Sequence, residues 1–244
     1  MRTAAAIAAV AASALVAACS IPEKQLANAT PYGCLGQPLP AVAADPVRIF
    51  GVLRDPYSSA TIGGAAVEGF QVGLAARVFS TTSAADGSFS QSQGTGGAPR
   101  NAYLRVAPNG YVPTYYFPAA PIVADLQVDI QLFMASELMT LASAAGVTVD
   151  PTKAAFAVTV NNCRGEPIGG ATVSTVPAGD VRYIDATLTP SSTATATDSV
   201  TGTALIANVP VSNTTINATV GGMTLRSHSI DAMAGVLYQT EIQP

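Results

Sequence analysis

The sequence predicts an all-β protein in which two β-sandwich domains stand in tandem, joined by one short helix. Three observations carry that prediction. The 244 residues include 21 glycines and 17 prolines, no tryptophan, and only 11% charged side chains, the usage of short strands separated by tight turns. Apolar and polar residues alternate with a period of two along many short segments, the pattern of strands with one dry and one wet face. The order of those segments then repeats in the second half of the chain.

The N-terminus is an export signal by pattern. Arg2 is followed by "AAAIAAVAASALVAA", an apolar run that ends in small residues and is too short and alanine-rich for a membrane span. Val16-Ala17-Ala18-Cys19 resembles the lipobox of bacterial lipoproteins. That resemblance implies a signal peptide over residues 1–18, lipidation of Cys19 and attachment to a membrane of the bacterial cell envelope through the N-terminal lipid. Ser20 stands where an aspartate would retain such a protein in the inner membrane, so the outer membrane is expected. Residues 19–45 read as a tether, because Pro22, Pro31, Pro38 and Pro40 break any regular structure there.

The first domain is expected over residues 46–134. Val47, Ile49 and Leu53 point one way and Arg48 and Arg54 the other; after the Gly63-Gly64 turn, Phe70, Val72 and Leu74 repeat the pattern. An Asp86-Gly87 turn precedes Phe89, and Leu104 and Val106 alternate with Tyr103 and Arg105. In "DLQVDIQLF" Leu126, Val128, Ile130 and Leu132 face one side against Asp125, Gln127, Asp129 and Gln131. A linking helix is expected over 135–146, with Ser136 as N-cap, Glu137 at the positive end of its dipole, and Leu138, Leu141, Ala142 and Ala145 at helical spacing. The second domain, 147–244, opens with Phe156, Val158 and Val160 alternating against Ala157, Thr159 and Asn161.

Both halves place a Gly-Gly pair after the first strand and an Asp-containing glycine turn later: "TIGGAAVEGF" then "SAADGSF" in the first, "CRGEPIGGATVS" then "TDSVTGTALI" in the second. At these residues the second half resembles the carboxypeptidase regulatory-like domain, a transthyretin-like Greek-key sandwich, and the first half is similar to a divergent copy. The resemblance implies accessory β-sandwich domains without catalytic residues of their own. It implies no peptidase activity, since no zinc-peptidase motif is present.

With Cys19 lipidated, Cys34 and Cys163 remain as an even pair in an oxidising compartment, and a disulfide between them would pin the tether to the second domain with the first hanging between fixed ends. The alternative is two buried free thiols. His228 is the only histidine and reads as a solvated strand residue, so neither a histidine triad nor a histidine metal cluster is available. Intradiol dioxygenases and hydroxyisourate hydrolases, enzymes with related sandwiches, need more histidines than this. Asp86-Gly87 lacks the oxygen ligands of a calcium loop, and no metal or cofactor is expected. A net charge of −4 with no basic run argues against nucleic acid.

The one cluster that suggests binding is "NGYVPTYYFP", with Tyr111, Tyr115, Tyr116 and Phe117. Exposed rings could hold a protein or a glycan; alternatively they fill the core. Tyr115 and Tyr116 must in any case point to opposite faces of a strand. The expected function is that of a non-catalytic structural or protein-binding module, with envelope proteins or glycans as partners and glycan binding as the alternative.

Overall fold

The computed structural model describes residues 30–244; the expected signal peptide and Cys19 lie outside the described residues. The first half supplies β1 (Val47–Arg54), β2 (Ala66–Gln71), β3 (Arg77–Thr82), β4 (Ser88–Gln93), β5 (Ala102–Val106), β6 (Thr114–Phe117) and β7 (Leu126–Gln131). Helix α1 (Ala135–Ala144) follows. The second half supplies β8 (Ala154–Val160), β9 (Ala171–Val176), β10 (Asp180–Ile184), β11 (Pro190–Ser191), β12 (Thr203–Val209), β13 (Asn213–Val220), β14 (Met223–Thr224), β15 (His228–Asp231) and β16 (Leu237–Ile242).

The repeat seen in the sequence is a repeat of pairing. In the first half β1 lies between β4, antiparallel, and β7, parallel; in the second, β8 lies between β12, antiparallel, and β16, parallel. Likewise β2 pairs with β5 and β9 with β13. Besides β11 and β14, which have no counterpart in the first half, the halves differ in one pairing: β3 pairs with β2, whereas its counterpart β10 crosses to pair with β12.

A hydroxyl clasp explains why the Gly-Gly segments match. The Ser83 hydroxyl donates to the carbonyl of Ile62 (2.8 Å) and accepts from the amide of Ala65 (3.0 Å). Thr197 does the same between Ile168 (2.6 Å) and Ala171 (3.0 Å). All of these bonds are buried, where an unmade one is costly. The two glycine turns match as well. Gly87 (φ +76°) and Gly202 (φ +60°) sit in left-handed conformations, and a Cβ would lie 2.6 Å from the Leu53 carbonyl oxygen in one and 2.7 Å from that of Val160 in the other. Only glycine fits such positions.

Two apolar cores result. Val47, Ile49, Leu53, Val67, Phe89, Leu104, Val106, Val128, Ile130 and Leu132 fill the first. Phe156, Val158, Val160, Val173, Ile206, Ile216, Ile230, Tyr238 and Ile242 fill the second. The alternation expected for β1, β7 and β8 is therefore what buries them.

The halves are not beads on a string. β6 pairs in parallel with β16, so one nine-stranded sheet runs β11-β10-β12-β8-β16-β6-β5-β2-β3 through both. The first core packs on one face of that sheet and the second on the other, because Tyr116 enters the first core while Phe117 enters the second. The expectation of a first domain hanging between fixed ends is corrected by this shared sheet.

Three local expectations are corrected too. Val72 and Leu74 do not continue β2 into the core; they lie in the turn after it, where Gly73 has φ +81°, and Leu74 is 53% exposed. The N-cap of α1 is Met134, whose amide donates to Glu137 Oε2 at 2.7 Å, so the carboxylate at the third helical position satisfies an orphan donor without Ser136. His228 is half-buried rather than solvated: its Nδ1 lies 2.9 Å from Thr240 Oγ1 and its ring meets Phe117 edge-on. Helix α1 rests on the outer face of the second half's sheet, over a small apolar cavity of about 30 Å³ lined by Leu138, Leu141, Ala145, Leu205 and Leu237.

Candidate functional site

Strand β6 holds three of the four aromatic residues singled out by sequence, and it is the strand that joins the halves. Its neighbours are β5 on one side and β16 on the other. Tyr115 is in register with Tyr238, and Tyr238 with Phe156 on β8. In sequence these residues are far apart; the sheet brings them together.

On the face toward the second core the rings form a ladder across the sheet. Phe70 stacks on Tyr103 (centroids 5.3 Å apart), Tyr103 on Phe117 (4.7 Å) and on Tyr115 (5.7 Å), each pair within 14° of parallel. Tyr115 meets Tyr238 edge-on at 5.6 Å, and Tyr238 stacks on Phe156 at 4.8 Å. These spacings are close to the distance between neighbouring strands, so the rings stand side by side with their faces turned to one another. The outermost is not free either: the Arg105 guanidinium lies 4.9 Å from the Phe70 centroid. Each such pair contributes about 0.5–1.5 kcal/mol beyond the area it buries.

The four expected residues do not make one exposed patch. Tyr116 and Phe117 are 7% and 6% exposed and belong to opposite cores. The Tyr116 hydroxyl donates to Glu241 Oε1 at 3.0 Å, and burial, then the Glu241 charge, pushes its pKa well up. Tyr111 stands at the other end of the strands, bridged to Met134; burial, then the nearby Asp55 and Glu137 carboxylates, raises its pKa. Tyr115 is half-buried against the second core. The row of open ring faces that a sugar platform requires is absent from this cluster, and the expectation of a common aromatic site is corrected accordingly.

Beside the ladder, Glu68 accepts from Arg77 and from Arg105 (Nη2 at 2.6 Å). Burial opposes ionisation of Glu68, but the two guanidinium groups outweigh it and hold the carboxyl below its usual range. Phe70, Phe156 and Tyr238 were not singled out by sequence as members of the cluster. Alternation of Tyr238, Thr240 and Ile242 signals burial, but nothing local signals that β16 pairs with a strand of the other half.

The thiols that sequence left open are joined. Cys34 and Cys163 form a disulfide with Cα atoms 5.7 Å apart, and the Cys163 amide donates to the Pro31 carbonyl at 2.9 Å. Tyr32 and Leu35 pack against the second core. The turn carboxylates are occupied by their own loops: Asp86, Asp150 and Asp185 each accept a 2.6 Å bond from the hydroxyl two residues on. Among the described residues no group of three or more His, Cys, Asp or Glu is placed to hold a metal ion.

No family model matches the chain, and no curated protein does. Among solved structures it is similar to the group B streptococcus pilus 2b backbone protein (16% identity, TM-score 0.29, covering 38% of this chain and 42% of that one). It is also similar to the shaft pilin SpaA of Lactobacillus rhamnosus GG (12%, TM-score 0.26, 82% and 98%). A third is the 3-chlorocatechol 1,2-dioxygenase of Rhodococcus opacus 1CP (12%, TM-score 0.28, 38% and 62%). The chain spans about two fifths of the length of the first of these. At these values the likenesses do not say what this chain does.

Proposed function

We propose that this chain is a non-catalytic cell-envelope lipoprotein, lipid-anchored through Cys19, whose two fused regulatory-like sandwiches act as a rigid structural or protein-binding module at the bacterial outer membrane. The observation that carries the reading is the disulfide between residue 34 in the tether and residue 163 in the second half. Such bonds persist in exported proteins, where the surroundings are oxidising, and this one fixes the segment that follows the lipobox-like Cys19. The matching clasps of Ser83 and Thr197 support two copies of one sandwich. The single histidine of the sequence and the turn carboxylates Asp86, Asp150 and Asp185, held by their own loops, support the non-catalytic reading. The stacked ladder spends its ring faces internally, which favours a protein partner over a sugar.

The test is Cys19→Ala. The variant is expected to leave the membrane fraction for the soluble fraction and to lose fatty-acid labelling, because the acyl chains supply the durable attachment. Unchanged membrane fractionation would refute the anchor.

A further inference from the structure

The strands of both halves run so that one end of the molecule gathers the start of β1, the end of β6, the end of β8 and the end of β16. The described chain enters at that end. Pro31 and Cys34 are fixed to Cys163 beyond β8, and Arg226 Nη2 donates to the Gln37 carbonyl at 3.0 Å. The segment then crosses to the first half, where the Ala43 amide bonds Gly97 (3.0 Å) and the Ala44 amide bonds Val123 (2.8 Å). Residues 30–46 are therefore laid across one end of both halves and bonded to each.

We infer that this end is a membrane-facing surface, held against a phospholipid bilayer with the strands upright, and that the disulfide sets this orientation. The inference rests on the anchor proposed above. The eleven residue steps from Cys19 to residue 30 span at most about 40 Å when extended, so the latch keeps the entry point near the bilayer.

A further observation on the described residues agrees. Charge is unevenly divided between the ends. The opposite end carries Asp55, Asp86, Glu137, Asp150, Asp180 and Asp231, with Arg54 and Lys153 as its cations. At the entry end Arg48, Arg77, Arg100, Arg164 and Arg226 stand against Asp45, Asp125, Glu166, Asp185, Asp198 and Glu241, so this end is the less acidic of the two. An anionic bilayer repels the more acidic end more strongly.

The experiment uses the full lipidated protein on vesicles of phosphatidylethanolamine and phosphatidylglycerol carrying an acceptor dye on the headgroup. A donor dye is placed at Leu74→Cys on the entry end or at Asp86→Cys on the opposite end. Energy transfer is expected to be several-fold stronger from position 74, and equal or reversed transfer would overturn the orientation. Flotation with the vesicles is scored separately. Floating protein with equal transfer refutes the orientation alone, whereas failure to float refutes the anchor and the orientation together. In a Cys34→Ser, Cys163→Ser background that retains its β circular dichroism, the difference between the labels should shrink while flotation persists. An undiminished difference would refute the role given to the latch.

Discussion

Ser83 and Thr197 occupy the same place in the two halves, and each ties a carbonyl to an amide across a sharp bend. A hydroxyl is needed because both partners are buried. Thr197→Val keeps the shape and removes both bonds, leaving the Ala171 amide and the Ile168 carbonyl without this partner. The expected cost is about 1–3 kcal/mol in urea unfolding, with Thr197→Ser close to wild type; an unaffected valine variant would refute the clasp. His228 gives a second residue-scale prediction. Burial lowers its pKa, so the unfolded chain takes up a proton more readily than the folded one. The stability it contributes is then present above the ordinary imidazole value of about 6.5 and lost as pH falls through the lower folded value. Because His228 is the only histidine, Tm measured between pH 7.5 and 5.5 should fall in the wild type and stay flatter in His228→Gln. Equal slopes would show that another group controls this range.

Among the elements, β6 is the one whose role sequence could not supply. Its alternation tells which of Tyr115, Tyr116 and Phe117 share a face, but not that both faces are cores. That depends on β16, whose register with β6 joins Phe117 to Thr240, a pairing across the whole second half that leaves no local trace. By contrast β1, β7 and β8 were legible, since each buries alternate residues against its own half. The helix was legible in extent and misread at its start, because the Glu137 carboxylate can reach back to any N-cap residue's amide. Val72 and Leu74 misled because apolar alternation ran on past the strand into a glycine turn. The element-scale prediction follows from β6 serving two cores. Phe117→Ala removes a ring supplied by the first half to the second, at a cost of about 3–5 kcal/mol for a buried aromatic. Loss of protection from hydrogen exchange should appear at Phe156 and Val158, in the half that does not contain the mutation. A loss restricted to β5 and β6 would refute the shared packing.

At the scale of the whole molecule, the nine-stranded sheet makes the two sandwiches one mechanical body. The disulfide acts on this body through the unfolded chain: it closes a loop spanning a sequence separation of 129 residues, for which the chain-entropy model gives nearly 5 kcal/mol. The entire first half, α1 and β8 lie inside that loop, while most of the second half lies outside it. Were the halves independent, reduction would be felt mainly where the loop closes, at the second half's Cys163 and the segment bound to it. Because β6 is built into the second half's sheet and Phe117 into its core, opening either half strips the other of a paired edge and a buried ring. Reduction, or Cys163→Ser, is therefore expected to lower the stability of both halves together. Amides of Leu104 in the first half and Val158 in the second should lose exchange protection by the same factor, and urea unfolding should remain a single transition shifted to lower denaturant. Two separated transitions, or a loss confined to Val158, would mean that the continuous sheet joins the halves in space without coupling them in energy.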